Sequence, residues 1–170
     1  MSAEASFPFR AAVITLSDKG AAGQREDKSG PLIHDTLTAA GFCVTKQLLL
    51  SDDPAPLTEA LIHIADSNAA DLILTTGGTG FSPRDYAPEA TLAAVERLVP
   101  GIAEAMRLES LRITKRAMLS RAVSGIRKRT LIINLPGSPK AVGEMLSYLL
   151  DTLPHGLEIL RGEASECARS

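Results

Sequence analysis

The chain has 170 residues, a net charge of −2, 45% hydrophobic and 22% charged residues, the balance of one soluble domain long enough to bury a core. It has no tryptophan and only 4% aromatics. With no basic excess either, it offers neither the stacking surface nor the countercharge that nucleic-acid binding uses. No stretch reaches the apolar length of a membrane span, and the start MSAEASFPFR lacks a basic-then-apolar leader pattern, so no membrane association and a cytoplasmic location are expected. The two cysteines, Cys43 and Cys167, fit no metal spacing or redox motif, and two reduced thiols are expected.

In chain order, residues 1–9 are expected to be loose, residues 10–162 to form a single domain, and residues 163–170 to be a flexible tail. Ala11 to Leu16 is the first apolar run and the first strand. Ser17-Asp18-Lys19-Gly20 ends it, and the polar segment through Lys28 reads as a loop. Helical spacing runs from Ser29 to Ala40 and stops at Gly41. Cys43 to Leu50 is the second strand. Ser51-Asp52-Asp53-Pro54 then turns into a helix whose buried stripe is Leu57, Leu61, Ile62 and Ile64-Ala65.

Leu72-Ile73-Leu74 reads as a buried strand. It breaks into Gly77-Gly78-Thr79-Gly80, and Pro88-Glu89-Ala90-Thr91 opens a helical pattern that carries Leu92, Val95 and Leu98 up to Pro100-Gly101. A second helix is expected from Ile102 to about Ile113. The stretch from Thr114 to Gly125 reads as a turn and an extended piece with an antiparallel excursion. Leu131-Ile132-Ile133 is the next buried strand, followed by the loop Asn134-Leu135-Pro136-Gly137-Ser138-Pro139 and two closing helices. Alternating strands and helices predict an α/β fold with a mainly parallel sheet covered on both faces. Ligands collect at the carboxyl ends of such strands, so the loops at Ser17, Asp52, Gly77 and Pro136 should converge on one crevice.

Glycines let a ligand approach backbone N–H groups closely. Gly77 to Gly80 matches neither the phosphate loop ending in lysine and a hydroxyl nor G-x-G-x-x-G, and alone it reads equally as a tight turn. Around it stand the hydroxyls of Thr76 and Thr79, the Arg84 guanidinium and the Asp85 carboxylate. Asp53 suits a helix cap before Pro54, which leaves Asp52 without a structural task. Asp85 has simpler roles open to it, in an Asx turn or paired with Arg84 or Arg97. Asp52 and Asp85 on neighbouring loops fit magnesium, which takes one or two carboxylates and fills its shell with water and phosphate oxygens. That chemistry is phosphoryl or nucleotidyl transfer. Pro136-Gly137-Ser138-Pro139 suits both an anion and an ordinary helix cap. The basic residues from Arg112 to Arg129 read as a solvated face with a share free for phosphate or a subunit contact. His34, His63 and His155 have no ligand spacing and receive no catalytic role.

Together TTGGTG, SPRD, PEAT, the ITLSDKG opening and the LPGSP loop resemble the molybdopterin adenylyltransferases of molybdenum-cofactor biosynthesis, the MogA/MoaB type, over roughly Arg10 to Gly162. The resemblance implies a three-layer α/β/α sandwich, usually a homotrimer, with hexamers in one branch. It implies transfer of AMP from Mg-ATP to the terminal phosphate of molybdopterin and hand-over to a molybdate-insertion protein. The family's paired catalytic, metal-binding aspartates fall on Asp52 and Asp85. Its nucleotide and pterin loops fall on Ser17 and Asp18, on Thr76, Gly77, Gly78, Thr79 and Gly80, and on Gly137, Ser138 and Pro139, with Ser110 and Ser120 on the pterin side. Lys19 stands where arginine is common, and Tyr86-Ala87 replaces a frequent Val-Thr pair. A non-catalytic pterin-binding scaffold of the same fold is the alternative, and retention of both aspartates argues for the enzyme. The molybdate-insertion enzyme shares a TGGTG-type loop but carries further domains that 170 residues do not accommodate.

Overall fold

The computed structural model describes residues 9–163; the expected loose ends and Cys167 lie outside them, apart from Phe9 and Glu163. The strands are β1 (Arg10–Leu16), β2 (Cys43–Leu50), β3 (Leu72–Thr76), β4 (Arg97–Leu98), β5 (Ser124–Arg127) and β6 (Thr130–Leu135). They form one sheet in the order β2-β1-β3-β6-β5-β4. The first four in that order are parallel, and β5 alone is reversed, pairing antiparallel with β6 on one side and with the short edge strand β4 on the other. The helices are α1 (Asp18–Ala21), α2 (Ser29–Ala39), α3 (Pro54–Asp66), α4 (Ala87–Ala94), α5 (Pro100–Leu111), α6 (Pro139–Leu149) and α7 (Leu153–Arg161), with a 3-10 turn over Lys115–Leu119.

Strand alternation divides the interior into two cores. Ala11, Val13, Leu72, Leu74 and Ile133 face one way and meet Ile33 and Leu37 of α2, Val142 and Leu146 of α6, and Leu157 of α7. Ala12, Ile14, Ile73 and Ile132 face the other way and meet Leu57, Leu61 and Ile64 of α3 and Ala87, Ala90 and Ala94 of α4. This is the expected α/β/α sandwich. β3 is buried along its whole length, as a central parallel strand must be. β2 is an edge strand whose residues alternate between half-buried and exposed, and Cys43 at its start is exposed.

The structure departs from the sequence expectation after Ser17, at the helix opened by Pro88, and at Asn134-Leu135, which were expected in a loop and instead end β6. The segment after Ser17 is not all loop, because the Ser17 hydroxyl accepts the Gly20 N–H at 3.0 Å and caps the single turn of α1. The helix opened by Pro88 stops at Ala94 instead of continuing through Val95 and Leu98. Val95 is extended, and Arg97 and Leu98 pair with Ile126 and Gly125. Gly125 permits this, since a Cβ there would stand 2.8 Å from both the Val95 Cβ and the Arg97 carbonyl oxygen. Pro100 then starts α5 in its first turn.

A buried polar junction fixes the carboxyl end of the sheet. Asn134 of β6 donates through Nδ2 to the Thr75 and Thr91 hydroxyls at 2.9 Å each and accepts the Val123 N–H at 3.2 Å. One side chain thereby ties β3, α4 and the approach to β5 together. At the opposite pole Asp71, also buried, accepts from the Arg10 N–H at 2.8 Å and from both the Arg10 and Arg161 guanidinium groups.

Candidate functional site

The four loops meet at the carboxyl end of the sheet, but they do not share the one crevice expected of them. Ser17 N–H donates to the Leu50 carbonyl at 2.9 Å, bringing the ends of β1 and β2 together. The Thr76 hydroxyl donates to the Pro136 carbonyl at 2.7 Å and the Ser29 hydroxyl to the Gly137 carbonyl at 2.8 Å. Gly77 has φ +93°, and a Cβ there would lie 2.5 Å from the Leu16 carbonyl oxygen, so glycine is required by both backbone angle and space. Gly78 also has positive φ, and a Cβ on Gly137 would touch the Gly77 Cα at 3.4 Å.

The residues singled out by sequence divide among adjoining depressions. Ser17, Thr76, Gly77, Gly137, Ser138 and Pro139 line a polar crevice of about 580 Å³ between the N-termini of α2 and α6. Thr79, Gly80, Ser110 and Ser120 line a separate cavity of about 270 Å³ with the apolar side chains of Ala103, Met106, Leu119 and Met145. Asp85 borders a third, shallow depression with Gly80 and Arg121. Asp18, Asp52 and Gly78 line none of the three. Ser138 caps α6 by accepting the Ala141 N–H at 3.2 Å, and Ser110 donates to the Met145 sulfur at 3.2 Å.

Asp52 and Asp85 stand on loops that Asp18 and Arg84 tie together, Asp18 bonding to Asp52 and Arg84, the neighbour of Asp85, bonding to Asp18. Asp52 Oδ2 accepts the Asp18 N–H at 2.9 Å, and Asp85 Oδ2 accepts the Gly80 and Ser82 N–H groups at 3.1 and 3.0 Å. The other oxygen of each carboxylate takes no donor among the described residues. Burial pushes the Asp52 carboxyl above the ordinary aspartate range, and the Asp18 and Asp85 charges push it the same way, against the Asp18 N–H and Arg84. Asp18 behaves oppositely: hydrogen bonds from Arg84, then the Asp52 N–H, hold it down at about 2.

These carboxylates test whether a cation fits. Among the described residues no group of three or more His, Cys, Asp or Glu side chains is set to hold a metal by itself. Magnesium that arrives with phosphate and water ligands needs only one or two carboxylates. Asp52 and Asp85 each keep one carboxylate oxygen without a donor among the described residues, which is the donor chemistry such a cation uses.

Arg84 pairs with neither Asp85 nor an open anion position. Its Nε and one terminal nitrogen grip both Asp18 oxygens at 2.9 Å, and it reaches Asp53 at 3.0 Å. Arg121, grouped by sequence with a solvated basic face, instead braces the Asp85 loop. It donates to the Gly80 carbonyl at 2.8 Å and the Asp85 carbonyl at 2.6 Å and pairs with Glu89. Sequence reasoning also missed Asp27, whose carboxylate accepts the Ser29 and Gly30 N–H groups at 3.0 Å and starts α2; aspartate two residues before a helical pattern was the available signal. The Thr15 hydroxyl at the polar crevice is buried without a partner among the described residues.

Residues 12–155 match the family described as "Probable molybdopterin binding domain". The chain belongs to this family. It is 36% identical to the molybdopterin adenylyltransferase of Escherichia coli K12, over 94% of this chain and 89% of that one. It is 43% identical to the molybdenum cofactor biosynthesis bifunctional protein of Synechococcus elongatus over 89% of this chain, spanning 47% of that longer relative. Its fold superposes with a TM-score of 0.86 on the molybdopterin biosynthesis enzyme MoaB of Thermus thermophilus, 47% identical, covering 93% of this chain and 99% of that one.

Proposed function

We propose that this chain is a molybdopterin adenylyltransferase that moves AMP from Mg-ATP to the terminal phosphate of molybdopterin, giving adenylylated molybdopterin and pyrophosphate. The observation that carries the reading is the Asp52–Asp85 pair, held by backbone N–H groups at the rim where the glycine loops meet. Family membership and relatives named molybdopterin adenylyltransferase support the same reading.

In this reading a molybdopterin phosphate oxygen forms a bond to the ATP α-phosphorus while the bond to the bridging oxygen of the β-phosphate breaks, releasing pyrophosphate. Asp52 and Asp85 would hold magnesium, which supplies neutralisation of the phosphate charge. The polar crevice between α2 and α6 suits the nucleotide, since helix N-termini and close-approach glycines favour phosphate. The unpartnered Thr15 hydroxyl adds a polar group there. The cavity of Ser110 and Ser120, with its methionine and alanine walls, suits the flat pterin. Arg121 keeps the Gly80–Asp85 segment in place, so the reacting groups meet in a preset geometry.

The proposal extends to a homotrimer, or a hexamer, in the cytoplasm, passing its product to a molybdate-insertion protein. Exposed Leu98, Leu108, Leu111, Ile113 and Met118 supply apolar surface for subunit contact. No helix among the described residues is long and apolar enough to cross a membrane. The test is Asp85→Asn in an assay of AMP transfer to molybdopterin. A fall of at least about a hundredfold is expected, and transfer at the parent rate would overturn the role given to Asp85.

A further inference from the structure

The polar crevice between α2 and α6 is lined by the hydroxyl side chains of Thr15, Ser17, Ser29, Thr76 and Ser138. Ser17 and Ser138 accept backbone N–H groups, and Ser29 and Thr76 donate to backbone carbonyls. Thr15 is the exception. The residue is only 5% exposed, and its hydroxyl has no partner among the described residues. Thr15 follows Ala11 and Val13 along the face of β1 that α2 and α6 cover, which puts the hydroxyl on the crevice side of the sheet. A buried hydroxyl left alone costs stability, and valine would fill the same space without that cost.

Asp27 offers the complement from the same crevice wall. Its Oδ1 accepts the Ser29 and Gly30 N–H groups and starts α2, whereas Oδ2 takes no donor among the described residues. A Cβ on Gly30 would press into Asp27 Oδ2 and stand 2.7 Å from Thr15 Oγ1. The two uncommitted oxygens thus flank one point, which glycine keeps clear. A carboxylate acceptor beside a hydroxyl that both donates and accepts suits neutral hydroxyl groups, while a phosphate at that point would meet the carboxylate's like charge.

We propose that Asp27 Oδ2 and the Thr15 hydroxyl receive the ribose hydroxyls of the nucleotide, so that the crevice selects ribonucleotides over their deoxy forms. The inference rests on the reading of this crevice as the nucleotide site. One ribose hydroxyl donates to Asp27, as ribose hydroxyls do to carboxylates in other nucleotide folds. Its neighbour exchanges a hydrogen bond with Thr15 and ends the isolation of that group. An analogue lacking the hydroxyl is rejected because the groups built to meet it stay unpaired.

The experiment measures binding of ATP, 2′-deoxy-ATP and 3′-deoxy-ATP, each with Mg²⁺, to the full-length chain by calorimetry. The parent should bind ATP at least about tenfold more tightly than one of the two analogues. Asp27→Asn keeps the Oδ1 cap of α2 and removes the carboxylate, so it should weaken ATP and cut the preference to about threefold or less. Thr15→Val should bind ATP several-fold more weakly and yet melt no lower than the parent, because the lost hydroxyl has no partner in the free protein.

Equal affinity of the parent for all three nucleotides overturns the proposal, as does a preference that survives Asp27→Asn. Tighter binding of all three nucleotides by Asp27→Asn also overturns it, and puts a phosphate beside Asp27 instead. Unchanged ATP affinity or a lower melting temperature in Thr15→Val removes Thr15 from the site. Absence of any ATP binding by the parent fails the nucleotide reading itself, and this inference with it. If the parent binds ATP and transfers AMP but accepts the deoxy forms equally, only the roles of Asp27 and Thr15 fall.

Discussion

Asp18 and Asp52 hold each other by exchange: the N–H of each donates to the carboxylate of the other, at 2.9 and 3.0 Å. The two residues follow different strands, so this pair of bonds locks two loops in a fixed relation. It also sets a like charge beside Asp52, whose carboxyl burial already raises. In the metal-free protein Asp52 should therefore titrate above the ordinary aspartate value of about 3.9. Asp18→Asn keeps the donating N–H, removes the like charge and leaves Arg84 less neutralised, so it should move the Asp52 titration down. Carboxyl carbon NMR over pH 2 to 8 reads both positions, and an Asp52 midpoint that does not move in the variant contradicts the account.

Asp71 predicts how stability responds to acid. Burial raises its carboxyl, but hydrogen bonds from Arg161 and Arg10 outweigh burial and leave it below the ordinary range. A depressed carboxylate contributes stability that is present above its unfolded value of about 3.9 and lost as pH falls through the folded value. Asp71→Asn should thus be less stable than the parent at pH 7, by about 2–3 kcal/mol. The gap should narrow as the pH drops below about 4. Urea melts at pH 7 and pH 3 measure it, and a constant gap would count against the ion-pair explanation.

Asn134 sits fully buried with both ends of its amide engaged. Asn134→Ala leaves the Thr75 and Thr91 hydroxyls and the Val123 N–H short of a partner and opens a void. The loss should be about 2–4 kcal/mol in chemical denaturation. Because Thr91 belongs to α4, loosening should also appear as faster amide exchange in that helix.

Two glycines should answer alanine in opposite ways. Gly77→Ala meets a positive φ and the Leu16 carbonyl oxygen at 2.5 Å, so a loss above about 2 kcal/mol is expected, with activity falling alongside. Gly143 lies within α6, where a Cβ has nothing within 4 Å. Gly143→Ala should raise stability by about 0.5–1 kcal/mol. Thermal melts of the two variants settle both signs.

Arg121 should behave as a brace of the Asp85 loop. Arg121→Gln frees the Gly80 and Asp85 carbonyls and the Glu89 carboxylate. kcat/KM should fall by roughly tenfold to a hundredfold through misplacement of Asp85. Arg121→Lys should recover little, because a single ammonium cannot reach three acceptors in a fan.

Which of these features a reader could take from the sequence follows from the range of the interaction. The strand at Leu72, the glycines after it and the two aspartates lie in local patterns of apolar runs and turn residues, and the four loops fall where parallel topology puts them. The strand at Arg97–Leu98 was hidden because Leu92, Val95 and Leu98 also satisfy helical spacing. What decides against the helix is Gly125, far along the chain, which makes room for Val95. Arg84 and Arg121 read as free cations for a similar reason, since their acceptors lie 66 and up to 41 positions away. Asn134 looked like the first residue of a loop, although it is the last inward-facing polar group of a strand.

Phe9 and Arg161 meet at the amino edge of the sheet, the guanidinium 4.3 Å above the ring and bonded to Asp71. The first and last described segments therefore leave the body at the pole farthest from the glycine loops. A fluorescent reporter attached beside Phe9 or Arg161 would sit across the body from the crevice and leave its mouth open to solvent.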